Sequence, residues 1–168
     1  KEVTIVGVVE IRNGLVQIAK ASDVALVIAD GTMPALVTVP ETVALTAEGL
    51  LPYQSRRLSI EGFTIIDKKV DKYGTTTLTL KRGTETVDVR WDNRVSLSAE
   101  AKAHLEGLAV EQKVNLVGAP LGWHNGPQFG YDHESQIYVV PATDPTAQAN
   151  EVLAGLDVPA EITTATDL

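Results

Sequence analysis

Between residues 58 and 140 the apolar pattern switches from period two to helical spacing and back to period two, an order that few folds can accommodate. Over 58–66, Leu58, Ile60, Gly62, Thr64 and Ile66 alternate with Ser59, Glu61, Phe63 and Ile65, as on a strand with two distinct faces. Residues 75–81 and 85–91 alternate likewise around Arg82-Gly83-Thr84, a short glycine-containing connection suited to a hairpin. Leu78, Leu80, Val87, Val89 and Trp91 mark its inward side, and Thr77, Thr79, Lys81, Thr86, Asp88 and Arg90 its outward side. A slip of one residue would bury the charges, so the register is well specified.

After Trp91, the residues Leu97, Ala101, Leu105 and Leu108 recur at helical spacing. Ser96 or Ser98 serves as N-cap, Glu100 falls in the first turn, and Gly107 stands where a left-handed C-terminal residue would sit. Two further strands, 114–118 and 137–140, bracket a loop containing Asn125-Gly126. The chain is therefore mostly β. Three strands, a helix and two strands is the element order of an OB-fold-like five-stranded Greek-key barrel with one short helix, and also of unrelated small β-barrels.

The rest of the chain is organised around this barrel. Residues 3–9, 15–19 and 24–29 read as strands, with Asn13-Gly14 as a tight turn. Val3-Thr4-Ile5-Val6-Gly7 matches Val114-Asn115-Leu116-Val117-Gly118, Asn13-Gly14 matches Asn125-Gly126, Gln17 matches Gln128, and 24–27 matches 137–140, at offsets of 111 to 113 throughout. Residues 1–29 thus read as the C-terminal half of a second OB-like module in an array, with its first three strands lacking. Unpaired strand edges there should seek partners, in residues 36–39 or in another molecule.

Residues 30–55 form a linker broken by Pro34, Pro40 and Pro52. A short helix is expected over 41–49, and Leu36, Val39, Val43, Leu45 and Leu50 are apolar enough to pack across a barrel, with Tyr53 anchoring the exit. Residues 56–141 form the complete barrel. Residues 142–168, rich in Ala, Thr, Pro and Asp, are a linker and the start of a following module, with a short helix at 146–155 and an extended tail from 157.

Composition narrows the chemistry. There is no Cys in the 168 residues, which excludes disulfides and thiolate metal sites. No run of about 18 apolar residues offers a membrane span. A strand so close to the first residue, with no signal-peptide pattern, points to a segment of something longer. The net charge of -8 disfavours nonspecific attraction to nucleic acid by the whole chain, yet 56–94 holds nine basic residues against six acidic ones.

Several stretches together resemble the tandem OB-like accessory modules of large secreted or surface-anchored bacterial nucleases and phosphoesterases. They are Val3-Thr4-Ile5-Val6-Gly7-Val8-Val9, Ala21-Ser22-Asp23, residues 53–65, and 114–118 followed by Asn125-Gly126-Pro127-Gln128. The run from Leu153 to Leu168 is similar to the opening of an atypical bacterial immunoglobulin-like module. The resemblance implies an extracellular or cell-surface location, neighbouring modules of the same parent chain, and a metal-dependent endonuclease, exonuclease or phosphatase domain elsewhere in that parent. It implies no catalytic residue here.

The residues agree with a non-catalytic chain that needs no cofactor. There is no Gly-rich phosphate loop, Gly-x-Ser-x-Gly elbow or His-Glu-x-x-His. In Asp132-His133-Glu134, neighbours on an extended strand point to opposite faces, so the three cannot converge on a metal. Binding is the stronger class. OB-folds hold oligonucleotides or oligosaccharides on the outward face of strands two and three and on the loops joining strands one to two and four to five. That surface would carry Lys81 and Arg90, with Lys68, Lys69, Lys72 and Tyr73 on one loop and Trp123, His124 and Tyr131 on the other. Basic groups near aromatics suit single-stranded nucleic acid, and the same aromatics suit a glycan. The alternative is a structural spacer, with Trp123 and Tyr131 capping a barrel end.

Overall fold

The computed structural model describes residues 2–28 and 35–141. The helix and tail expected beyond 145 lie outside them. In chain order the elements are β1 (Glu2–Arg12), β2 (Leu15–Ile28), β3 (Val37–Thr38), α1 (Ala47–Leu50), β4 (Arg57–Val70), β5 (Thr76–Arg82), β6 (Glu85–Trp91), α2 (Ala99–Gly107), β7 (Lys113–Trp123), β8 (Pro127–Gly130) and β9 (Ile137–Val139). Single 3-10 turns occupy Leu51–Tyr53 and Glu134–Gln136.

Strands β4, β5, β6, β8 and β7 hydrogen-bond in that order, and β7 pairs back to β4, so five strands close into a barrel. Every join is antiparallel except β6 to β8. Closure removes the exposed sheet edge, and α2 lies between the third and fourth barrel strands, as the sequence predicts for an OB-like barrel. The core comes from alternate residues of each strand, among them Leu78, Leu80, Val87 and Val89 of the β5–β6 hairpin.

Two strand assignments change. The fifth barrel strand is β8, not 137–140: β9 pairs with the start of β7 (Leu116 opposite Ile137), while β8 runs between β6 and the end of β7. Four residues beginning with proline are too short to show a period. In β4 the alternation expected through 58–66 inverts midway. Gly62 has φ +82° and the pairing with β7 shifts register between Ile60 and Phe63, so Leu58, Ile60, Phe63 and Ile65 are all buried, whereas Ile66 is exposed. A glycine inside a strand marks such a bulge, because it reaches positive φ without steric cost.

The linker is packed, with Val39, Leu45 and Leu50 buried in the barrel core. Its β3 runs parallel to β4 (Val37 opposite Leu58) and not beside the N-terminal strands, so the edge pairing expected between the two is not made. The helix expected over 41–49 shrinks to α1. Pro40 starts a turn instead (Val43 N–H to Pro40 O, 3.0 Å), and Thr46 Oγ1 caps α1 by accepting from Gly49 N–H. The linker is latched to the β5–β6 turn: Glu85 accepts from Leu45 N–H at 3.1 Å and Arg82 donates to Val43 O at 3.0 Å.

Strands β1 and β2 form a separate two-stranded hairpin. Asn13 (φ 51°) and Gly14 (φ 85°) give the two-residue turn that Asn-Gly predicts. The strands expected at 15–19 and 24–29 are one continuous β2, irregular at Lys20, whose φ is 50°.

Candidate functional site

The outward face of β4, β5 and β6 is ordered by register into cross-strand rows. Lys69, Thr77 and Arg90 share one row, Asp67, Thr79 and Asp88 the next, and Lys81 and Thr86 lie one row further. Lys69 Nζ pairs with Asp67 at 2.5 Å, and Thr79 Oγ1 donates to Asp88 at 2.9 Å. The Lys69 hydrogen bond holds the Asp67 carboxyl below its usual pKa. The acidic row therefore runs between the basic ones, and the surplus of cations counted along 56–94 is not one continuous patch.

Beyond Lys69, β4 enters a turn built by Asp71, whose Oδ1 accepts from the N–H of Tyr73 (2.8 Å) and Thr75 (3.0 Å). Such an Asx turn displays what lies between. Tyr73 is 68% exposed, and Lys72 Nζ sits 4.9 Å from its ring centroid. Lys69, Lys72, Tyr73 and Arg90 thus gather at the Trp91 end of β6. Lys81 stands apart, toward the turn at residues 83–84.

Of the other four predicted ligand-facing residues, Lys68 and Tyr131 are held by internal contacts, Trp123 is half-buried and His124 is exposed. Lys68 Nζ donates to the carbonyls of Leu105 (2.8 Å), Glu106 (2.8 Å) and Leu108 (2.7 Å) at the end of α2. The helix needs this because Gly107 does not take the left-handed cap expected of it: Leu108 follows in extended conformation. Burial pushes the Lys68 pKa down, and the Glu106 charge opposes that shift. Tyr131 is buried. Its hydroxyl donates to Ala101 O at 2.8 Å and accepts from His104 Nδ1 at 2.9 Å, with the two rings stacked, so it fastens α2 to the barrel. Burial, with Glu134 adding to it, pushes its pKa up to about 12.

Trp123 and His124 lie at the opposite end of β6 from Tyr73, because β8 runs parallel to β6 from its Glu85 side. There they meet the N-terminal hairpin. Asn125 N–H donates to Asn13 O at 2.9 Å, Asn13 Nδ2 meets His124 Nδ1 at 3.3 Å, and a Cβ at Gly14 would stand 2.4 Å from Trp123 Nε1. Gln54 completes the contact by accepting from Val16 N–H and donating to Gly14 O. The aromatic loop expected to face a ligand thus touches the β1–β2 turn in this structure.

Asp132, His133 and Glu134 also serve the fold. His133 Nδ1 accepts from Ser135 N–H, and buried Gln136 accepts from the N–H groups of Asp132 and His133. Among the described residues no three His, Asp or Glu side chains converge. A groove of about 460 Å³ between α2 and the barrel, bordered by Val70, Trp91, Lys102 and Glu106, is marked by no motif in the sequence. Only the folded proximity of β4 and α2 creates it. No protein-family model and no curated protein matches this chain.

Proposed function

We propose that this chain is a non-catalytic accessory module of a secreted or cell-surface nuclease or phosphoesterase, in which the barrel acts as a structural connector fixing the orientation of its neighbour. The observation that supports it is the use of the aromatic turn. Trp123, His124 and Asn125 contact the Asn13-Gly14 turn of the preceding repeat, as a connector between neighbouring units requires. The resemblance to tandem accessory modules supplies the parent class.

Gly14→Val tests the connector. Valine is strained at φ 85°, and its Cβ would overlap the indole of Trp123, so the turn should undock. The Asn125 amide should lose hydrogen-exchange protection, the Trp123 indole resonance should shift and the small-angle scattering profile should broaden, while β5 and β6 amides stay protected. An unchanged profile and resonance would count against a docked connector.

A second reading, weak binding of single-stranded nucleic acid, is favoured by the cluster of Lys69, Lys72, Tyr73 and Arg90. A few phosphate contacts give dissociation constants of roughly 10⁻⁴ to 10⁻⁶ M, and Tyr73 could add a stacked base worth about 1–3 kcal/mol. In a low-salt titration with a fluorescent oligonucleotide, Lys69→Glu/Lys72→Glu should weaken binding about tenfold or more and flatten the salt dependence. No binding by the unaltered chain removes this reading, and saturable binding of an oligosaccharide in its place points to a glycan.

A further inference from the structure

We infer that the exposed face of the β1–β2 hairpin is the docking surface for a three-stranded antiparallel meander of the β4–β6 kind, making the hairpin the closing half of a second barrel. This rests on the modular reading above and names the partner that the module takes.

Register carries the inference. All six residue pairs that β7 makes with β8 and β9 recur between β1 and β2 at the offsets of the sequence repeat. Ile5 opposite Val24 repeats Leu116 opposite Ile137, and Val9 opposite Ile18 repeats Leu121 opposite Phe129. The two hairpins are therefore the same object in their backbone pairing, and they differ in what covers them. In the complete barrel Leu116, Ile137, Leu121 and Phe129 are at most 1% exposed. Their counterparts Ile5, Val24, Val9 and Ile18 are 41%, 61%, 68% and 49% exposed.

What buries the first set is β4–β6, with β4 hydrogen-bonded along the edge of β7 (Ile60 opposite Leu116). The corresponding edge of β1 is open among the described residues, since the hairpin forms a sheet of its own. A lone two-stranded hairpin is marginal in water, and an apolar face with an open edge is a template for strand addition. The occupant that fits both edge and face is a meander whose inward residues alternate as those of β4–β6 do. In the complete barrel β4–β6 precede β7, and the same order places the docking meander on the N-terminal side of β1 in one polypeptide. In such an array the two barrels meet turn to turn, Asn13-Gly14 against the β7–β8 turn.

The test compares the 168-residue chain with a derivative in which its own residues 56–112 are repeated directly ahead of Glu2. The derivative should be monomeric by sedimentation, and its β1 amides should exchange about a hundredfold more slowly than in the unextended chain. Val24→Asp should cancel that protection in the derivative and leave exchange unchanged without the extension. A monomeric derivative with no slowing overturns the inference. So does dimerisation of the unextended chain at micromolar concentration with protection of the same amides, which would make a second copy the occupant. A second readout holds if the derivative folds poorly: the unextended chain should bind a hydrophobic fluorescent dye, with Val9→Asp lowering the signal severalfold, and absence of dye binding overturns the proposal. The Gly14→Val experiment reads hairpin-to-barrel docking alone, so failure of the connector reading and failure of this inference remain distinguishable.

Discussion

Phe129→Ala should lower the unfolding free energy of the barrel by about 3–5 kcal/mol, the range for truncating a fully buried aromatic. Phe129 is buried with no exposed surface. It stands opposite Val89 across the parallel join to β6 and opposite Leu121 across the antiparallel join to β7. Its ring therefore fills the core at the point where the barrel closes, on a strand of only four residues with few other apolar contacts to offer. A domain of this size has a stability of roughly 5–15 kcal/mol, so the loss would be about a fifth of it or more. Phe129→Leu, which keeps most of the volume, should cost about 1 kcal/mol. Urea unfolding followed by Trp91 and Trp123 fluorescence measures both. A cost below about 1 kcal/mol for the alanine variant would mean that β8 does not close the ring.

The same residue shows where the sequence was legible and where it was not. Period two over 75–91 located β5 and β6 closely, and β6 to the residue, because each alternates cleanly and a short turn fixes their offset. The helix was legible from its four apolar positions and Ser98. The N-terminal repeat was legible because it is a comparison of the chain with itself. Phe129 was hidden because a four-residue strand between Gly126 and Tyr131 carries no period, so the aromatics around it read as a ligand loop. Gly62 carried a usable signal, a glycine inside an alternating run, but one bulge turns every following side chain to the other face. Lys68, Tyr131 and Trp123 could not have been placed, since their partners are 37, 30 and about 110 residues away along the chain. A lysine on a barrel loop looks the same in sequence whether it faces solvent or a helix end.

Lys68→Met should therefore destabilise the fold by about 2–3 kcal/mol, whereas Lys69→Met, one residue along, should stay within about 0.5 kcal/mol. The two lysines differ in surroundings. The Lys69 side chain is 78% exposed and pairs with Asp67, and such surface pairs contribute little. The Lys68 ammonium ends among three carbonyl oxygens at 2.7–2.8 Å, where the last turn of α2 leaves acceptors without helical partners and the helix dipole favours a cation. Methionine keeps the stem and removes all three donors. Lys68→Glu should cost more, since it sets a carboxylate against the same oxygens. Lys68→Arg should restore only part of the loss, because a planar fork does not converge on three acceptors around one point. Hydrogen exchange should localise the effect to α2 and the 105–108 segment, with β5 and β6 losing protection only as global stability falls. If Lys68→Met and Lys69→Met unfold at the same urea concentration, the cap contributes nothing measurable. If they differ as expected, any loss of oligonucleotide binding on replacing Lys68 reports the folding of α2, and the anionic-ligand reading rests on Lys69, Lys72, Tyr73 and Arg90.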